Sequence, residues 1–228
     1  MITREQVKDP KRRIMMVCVQ MFIEKGFKST TMLDIIREAD VSSGTFQNIF
    51  KTKDGVLFEL IDFMFDSQFA MARGISEKDP VLVYAIETSI QLAIAESNEN
   101  IREIYKEVYT DGDLSELIRE KTTKELINIF GTYNPTWEES DFYENEIGSA
   151  GIMRAYMARQ CDRYFTLKRK IDKFLNMALK AYNVPSDKIH DIISVVDSMD
   201  MNKVATDVMN KLFAALEMAF DFKFNKAK

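Results

Sequence analysis

Residues 30–53, TTMLDIIREADVSSGTFQNIFKTK, decide the fold that this chain is expected to adopt. They predict two short helices separated by a tight turn. Thr31 is placed to cap the first helix with its hydroxyl, and Asp34 lies three residues later in the reciprocal position. Apolar residues recur at helical spacing on one face of that helix: Met32, Ile35, Ile36 and Ala39. This pattern predicts a capped helix with one buried face.

The turn and the second helix follow directly. Asp40 is expected in the turn, because Asp adopts a left-handed backbone more easily than most non-glycine residues. Val41 is expected to fill the space between the helices, and Ser42 to cap the second one. The inward stripe of that helix is apolar: Phe46, Ile49 and Phe50. Its outward face carries small or hydrogen-bonding side chains: Ser43, Gly44, Thr45, Gln47 and Asn48. The pair predicts a helix-turn-helix, which places side chains in a DNA major groove, and an ordinary solvated helical hairpin is the alternative.

A third helix is expected immediately before this pair, over residues 11–25. Its apolar residues recur at helical intervals: Ile14, Val17, Cys18, Met21 and Phe22. Gly26 breaks the pattern and the aromatic Phe27 follows it. The three helices are therefore expected to form a unit with its own small core.

Residues 11–60 resemble the DNA-binding domain of the tetracycline-repressor (TetR) family. The resemblance rests on the order and spacing of these positions: Phe22, Gly26, Phe27, Thr30, Thr31, Ile35, Val41, Ser42, Gly44, Thr45, Phe50, Lys53 and Leu57. It implies an all-α protein, with an N-terminal three-helix helix-turn-helix domain and a larger antiparallel helical domain for ligand binding and dimerisation. It also implies a repressor that a small-molecule effector releases from its operator. The residues then expected to contact DNA are Thr30, Thr31, Ser42, Ser43, Gly44, Thr45, Gln47, Asn48 and Lys53.

The chain departs from the family pattern at three positions of the helix-turn-helix. Asp40 stands where the family usually has Gly, Gln47 where it has an aromatic residue, and Ser43 where a Lys or Arg is common. The last two changes replace a phenol and a cation with uncharged groups. Gln47 and Asn48 could each make paired hydrogen bonds to adenine, a contact worth about 1 to 3 kcal/mol against the wrong base.

The distribution of charge agrees with a nucleic-acid partner at the N-terminus. Residues 1–60 carry ten Lys and Arg against eight Asp and Glu, whereas the other 168 residues carry 21 against 28. Local cations can bind phosphates even in an acidic chain. The candidates are Lys8, Lys11, Arg12, Arg13, Lys51 and Lys53, and solvated helix ends are the alternative interpretation.

Composition limits the class of protein. With 228 residues, 46% of them apolar, the chain suits one or two domains with a proper core. A secretory signal and any run of 18 apolar residues are missing, so a cytoplasmic protein with no membrane partner is expected. Cys18 and Cys161 lie in apolar helical patterns and are expected to be free, buried thiols. No metal-ligand spacing or cofactor motif is present.

The rest of the chain is predicted to be helical. Helices are expected over residues 54–73, 80–96, 98–109, 113–132, 136–159, 162–182, 186–198 and 201–222. Residues 1–53 are assigned to DNA binding, the helix 54–73 to a connector, and residues 74–228 to effector binding and dimerisation. The wide apolar face of the connector suits contact with both domains, so that a movement of the larger domain would move the groove-reading helices.

The implied effector pocket is expected to be largely apolar. Its assigned lining consists of aromatic and thioether side chains: Phe65, Phe69, Tyr105, Tyr109, Trp137, Met153 and Met157. Such residues are more often simply core. The polar residues that would orient a ligand cannot be chosen from the sequence, and Arg154, Tyr156 and Gln160 are candidates.

A homodimer is expected, because one recognition helix reads only a few base pairs. Two copies would read inverted half-sites about 34 to 36 Å apart, or a multiple of that. Two apolar stripes are favoured as the interface: Phe165, Leu167, Ile171, Phe174, Leu175 and Ala178, with Val204, Val208, Leu212, Phe213, Leu216, Met218 and Phe220. Burial of both stripes within one subunit and an interface at residues 146–160 remain open.

Two other classes compete with a DNA-binding regulator. An enzyme finds little support, since His190 is the only histidine and the acidic pairs Glu138-Glu139 and Glu144-Asn-Glu146 are expected to be solvated helix faces. A helical adaptor, whose N-terminal unit binds protein instead of DNA, is kept open by the uncharged residues Ser43 and Gln47.

Overall fold

The computed structural model describes residues 9–75 and 79–220, where every regular element is helical, and the all-α prediction is confirmed. The elements are α1 (Pro10–Lys25), α2 (Met32–Glu38), α3 (Ser43–Ile49), α4 (Lys53–Ile75), α5 (Pro80–Ser97), α6 (Glu99–Val108), α7 (Gly112–Phe130), a 3-10 turn (Gly131–Tyr133), α8 (Glu139–Ala158), α9 (Leu167–Ala181), α10 (Ser186–Asp197) and α11 (Met201–Phe220). The predicted last two residues of α11, 221 and 222, lie outside the described part.

Side-chain caps fix most helix starts. Asp79, Asn98 and Asp111 each accept backbone N–H groups from the first turn of the helix that follows. Helix α9 begins at Leu167, five residues after its predicted start. The reason is Asp162, which accepts two backbone N–H groups just downstream and holds residues 162–165 in a turn.

Helix α5 is the centre of the larger domain. It contacts α4 and every helix from α6 to α11, and it is buried on nearly all sides. Its sequence suits that position, because residues 80–95 contain a single charged side chain, Glu87. The core around it is formed by all the later helices.

The N-terminal helices do not close a core by themselves, contrary to expectation. The cluster around Phe22, Ile35 and Phe46 continues through α4 and is completed by apolar side chains from three helices of the larger domain: Ile104, Val108, Leu114 and Leu216. A polar contact joins the same surfaces, since Asn100 donates to the Ile23 carbonyl at 2.8 Å. The N-terminal three-helix unit therefore packs directly on α6.

The two apolar stripes that were favoured as the dimer interface are largely buried within one chain. Ile171, Phe174, Leu175 and Ala178 lie in the core of the larger domain, and Val208, Leu212 and Leu216 are also buried. Of the second stripe, Met218 is exposed, and the side chain of Phe220 lies outside the described part. The buried members of both stripes pack against helices of the same chain, which favours the alternative of burial within one subunit for them.

The structure also bears on the cysteines, on membrane crossing and on metal ligands. Both cysteines are free; Cys18 is buried and Cys161 only half-buried. Across residues 9–75 and 79–220, no helix combines the length and the apolar character needed to cross a bilayer. In the same ranges no group of three potential metal ligands converges.

Candidate nucleic-acid interface and internal cavity

The helix-turn-helix is fixed by the local interactions that its sequence predicts. Thr31 and Asp34 form the reciprocal capping pair, with the Asp34 amide donating to Oγ1 of Thr31 at 3.1 Å and the Thr31 amide to the Asp34 carboxylate at 3.2 Å. Asp40 adopts a left-handed conformation with φ of 50° in the turn. Ser42 caps α3 and accepts from the Thr45 amide at 3.0 Å. The two short helices are thereby held without a large core of their own.

The outer face of α3 carries exposed polar side chains. Ser43, Gln47 and Asn48 are exposed, and within the described residues their side chains make no hydrogen bond. Gly44 is exposed between them, and a methyl group there would meet only the Ser42 hydroxyl, at an ordinary 3.8 Å. Thr45 is half-buried, and its hydroxyl is paired with that of Ser42. The free part of the predicted face is therefore Ser43, Gly44, Gln47 and Asn48.

Two residues assigned to DNA contact, Thr30 and Lys53, make hydrogen bonds within the fold. Thr30 is only 1% exposed, and its hydroxyl donates to the Gly26 carbonyl at 2.8 Å. The Lys53 ammonium donates to the carbonyls of Phe27 and Thr30, at 2.7 and 3.0 Å, and lies 4.0 Å from the centre of the Phe27 ring. Thr30 is thus a structural residue, and Lys53 fastens the loop before α2 to the start of α4.

The predicted basic cluster on α1 is partly neutralised. Lys11 pairs with Glu59 at 2.7 Å, and Arg12 approaches Asp9 at 3.5 Å. Both pairs are partly exposed, and such pairs are weak enough for a phosphate to displace the carboxylate. Lys8 lies outside the described residues.

The turn residue Asp40 receives direct support from α1. Arg13 donates to the Asp40 carbonyl at 2.9 Å, which adds to the intrinsic tolerance of Asp for a left-handed backbone. The aspartate in place of the family glycine is therefore accommodated. Lys51 is exposed just after α3 and also has a positive φ, of 61°.

Capped short helices, a tight turn and an exposed polar face on the second helix define a helix-turn-helix domain on an all-helical body. Comparison with known proteins identifies the domain further. Residues 14–60 match the family model described as bacterial regulatory proteins, tetR family. The resemblance predicted from the sequence is confirmed for these residues.

Two curated relatives each match part of the chain. The uncharacterized HTH-type transcriptional regulator YuxN of Bacillus subtilis (strain 168) is 26% identical over 72 residues, which cover 32% of this chain and 25% of that protein. The HTH-type transcriptional regulator HbdR of Aromatoleum sp. (strain CIB) is 34% identical over 61 residues, 27% of each protein. The chain thus matches only about a quarter of the length of these relatives.

The larger domain contains a small, partly open cavity of about 60 Å³, lined by side chains from α4 to α9. Five of the seven side chains assigned to a pocket line it: Phe65, Phe69, Tyr105, Tyr109 and Met153. The other two do not. Trp137 packs edge-on against Phe142, and Met157 is fully buried in the core.

Polar residues that the sequence analysis did not assign also line this cavity. They are Glu87, Thr88 and Gln91 on α5, Thr122 on α7, and Glu146 and Ser149 on α8. Of the earlier candidates, Gln160 is exposed and does not line the cavity, and Arg154 is exposed and lines a neighbouring pocket together with Glu146. The expectation of a solvated Glu146 is wrong, because its side chain is 5% exposed whereas Glu144 is fully on the surface. Glu87 could have been found as the single charge in an otherwise apolar helix.

Both carboxyl groups are held by neutral donors. Gln91 donates to Oε1 of Glu87 and also accepts from the Tyr109 hydroxyl at 3.0 Å. Ser149 donates to Oε2 of Glu146 at 2.6 Å, and the Tyr182 hydroxyl approaches the same oxygen at 3.3 Å. Burial raises the pKa of Glu87 and of Glu146 to about 7 each, because the charged form loses its hydration.

Proposed function

We propose that the chain is a DNA-binding transcription regulator whose affinity for its operator is controlled by a small molecule. The observation that carries the proposal is the exposed outer face of α3, where Ser43, Gln47 and Asn48 have unpaired polar groups beside Gly44. Such groups match the donors and acceptors of base edges in a major groove. The match of residues 14–60 to the tetR family model supports the same conclusion.

The active form is a homodimer that reads inverted half-sites. Since the late apolar stripes are buried, the interface is assigned to the remaining candidate, residues 146–160. Helix α8 exposes a row of apolar or small side chains there, Ile147, Gly148, Ala155 and Ala158, next to the exposed Met177 of α9. Sedimentation should give a dimer for the native protein and a monomer for Ala155→Glu, because two buried like charges would face each other across the symmetry axis.

The effector acts through α4 and α6, which contact both the cavity and the N-terminal core. On α4, Ile61 belongs to the small core and also lines the cavity. On α6, Val108 does the same, while the adjacent Tyr105 and Tyr109 line the cavity. An occupant that shifts either helix changes the spacing of the two recognition helices. It needs a difference in affinity between the two states of about 1 to 3 kcal/mol for a typical allosteric coupling.

Selection of bound fragments from random double-stranded DNA tests the proposal. The expected result is an inverted repeat whose binding constant falls steeply with salt concentration. On the selected sequence, Gln47→Ala and Asn48→Ala should each relax the preference at one base pair per half-site, at a cost of about 1 to 3 kcal/mol. His190→Ala, at an exposed position on α10, is the matched control and should change nothing.

Failure to select any sequence, with no binding to duplex DNA at low salt, would contradict the proposal. In that case the helical adaptor is the better explanation, and the strongly exposed Leu33 of α2 would belong to its protein-binding surface.

A further inference from the structure

The cavity of the larger domain combines an apolar wall with unpaired negative charge. Its wall is formed by aromatic side chains on α4 and α6 and by Met153 on α8. Two carboxyl groups reach it from opposite helices, Glu87 from α5 and Glu146 from α8, and their side chains are 3% and 5% exposed. Buried carboxylates are normally paired with a cation.

Neither carboxyl group has a cationic partner in the described part of the chain. Glu87 accepts one hydrogen bond, from Gln91 to Oε1, and no donor reaches its Oε2. Both donors to Glu146, Ser149 and Tyr182, act on its Oε2. The protein thus leaves an oxygen of each carboxylate available at the cavity.

Two arginines, Arg119 and Arg154, line a neighbouring pocket beside Glu146, and neither of them lines the cavity. Arg119 acts electrostatically on Glu146, but its guanidinium pairs with Glu116 and stacks over the Tyr143 ring at 5.6 Å. Glu87 is therefore the less compensated of the two carboxylates and the better anchor for an external charge.

We infer that the cavity binds an organic cation whose charged nitrogen lies at Glu87, near Glu146, and whose apolar body lies against the aromatic side chains of α4 and α6. Rings such as Tyr105 and Tyr109 attract ammonium groups through their faces. A bare metal ion does not suit the site, since it would need several more oxygen ligands than this lining offers. The earlier expectation of a largely apolar effector is refined to an apolar body with a positive charge.

The titratable groups around the two carboxyls define how binding should depend on pH. They are Tyr84, Tyr105, Tyr109, Arg119 and Tyr182. Burial raises the pKa of Tyr84, Tyr109 and Tyr182 further above neutrality, so these phenols stay uncharged, and arginine stays charged. The carboxyls are the groups that ionise near neutral pH, and affinity for a cation should rise up to about tenfold from pH 6 to pH 8.

Calorimetric binding of three probes to the full chain without DNA tests this inference. Because the cavity is small, the probes are benzylammonium, its neutral carbon isostere ethylbenzene, and the anion phenylacetate. At pH 8 the cation should bind at least about tenfold more tightly than the other two, because a buried charge pair is lost with either of them. Glu87→Gln should remove most of that preference and Glu146→Gln part of it, whereas the exposed Glu144→Gln on the same helix as Glu146 should leave it unchanged.

Equal or weaker binding of the cation relative to the neutral isostere would overturn the inference, as would an unchanged preference in Glu87→Gln. If a Gln variant fails to fold by circular dichroism, the comparison of the three probes on the native chain still decides. The inference rests on the proposed function only where the occupant is called an effector. Because no DNA is present, loss of operator binding and loss of cation binding are separate results.

Discussion

At Gly44 the requirements of the fold differ from those of a bound partner. It occupies the second position of α3, where glycine is a poor helix former and where an added methyl group has room. The fold therefore gives no reason for glycine at this site. Close approach of a partner surface does give one, since a missing Cβ lets the helix lie nearer to a DNA backbone.

Gly44→Ala should keep or raise the free energy of unfolding, by up to about 1 kcal/mol, because alanine favours the helix. Affinity for the selected operator should fall about tenfold or more, since overpacking a close contact costs about 1 to 3 kcal/mol. Urea denaturation and a fluorescence binding titration measure the two effects. Unchanged operator affinity would show that the duplex does not approach α3 at this residue.

The predictable residues of the site are those governed by local rules. Thr31, Asp40 and Ser42 take the conformations that their positions in the sequence indicate, because capping and turn chemistry involve near neighbours. Thr30 and Lys53 were assigned to DNA by resemblance, but their polar atoms meet the loop that follows α1. Contacts between segments more than 20 residues apart, as for Lys53, are not visible in a spacing pattern.

At the scale of elements, Lys53 links the loop before α2 to the connector helix α4. Lys53→Met keeps the length of the side chain but leaves the carbonyls of Phe27 and Thr30 without their charged donor. The free energy of unfolding should fall by about 1 to 3 kcal/mol, the range for hydrogen bonds to charged groups. The exposed Lys51→Met should stay within about 0.5 kcal/mol of the native protein.

Salt titrations of operator binding complete this comparison. A lysine that also contacts a phosphate lowers the slope of log affinity against log salt by about one when it is removed. Lys53→Met should therefore lower the free energy of unfolding whether or not Lys53 contacts DNA. It should lower the slope of log affinity against log salt only if the third N–H of the ammonium contacts a phosphate. Equal stability of the two methionine variants would contradict the fastening role of Lys53.

Helix positions were predictable where apolar periodicity and capping agree, as at Pro80, which begins α5 directly after its capping residue Asp79. Helix starts were less predictable where the residues of a turn also have helical spacing. Residues 162–165 have acceptable helical spacing, yet Asp162 satisfies the backbone locally and delays α9 until Thr166 can cap it. Such competition is decided by side-chain geometry, which a one-dimensional pattern does not contain.

At the scale of the whole molecule, an amphipathic stripe does not show whether it packs within its own chain or against a second chain. The stripes on α9 and α11 suit a dimer interface as well as a core, and they are used by the core because α5 needs partners on every side. The same packing brings Glu87 and Glu146 together from residues 59 positions apart. The polar half of the cavity was therefore missed, although most of its aromatic half was among the side chains assigned to the pocket that the family resemblance implied.

The two buried carboxyls also link stability to pH in the free protein. The pKa of each is about 7 in the folded chain, because of burial, against an ordinary value of 4.5. The folded state thus holds protons that the unfolded state has released above pH 4.5. Stability from these groups is complete below the unfolded pKa and is lost as pH rises through the folded value.

Between pH 6 and pH 8 the free energy of unfolding should consequently fall by about 1 kcal/mol for each carboxyl, before any cation is added. Urea denaturation at a series of pH values in this range measures the slope. The double variant Glu87→Gln, Glu146→Gln keeps the hydrogen-bonding shape without a titrating group, so its slope should be nearly flat, whereas Glu144→Gln should behave like the native chain. Stability that rises with pH in the native protein would mean that the carboxylates are compensated inside the fold, because internal positive charge or hydrogen-bond donors would then hold their folded pKa below the unfolded value. That outcome would also remove the reason for an external cation in the cavity.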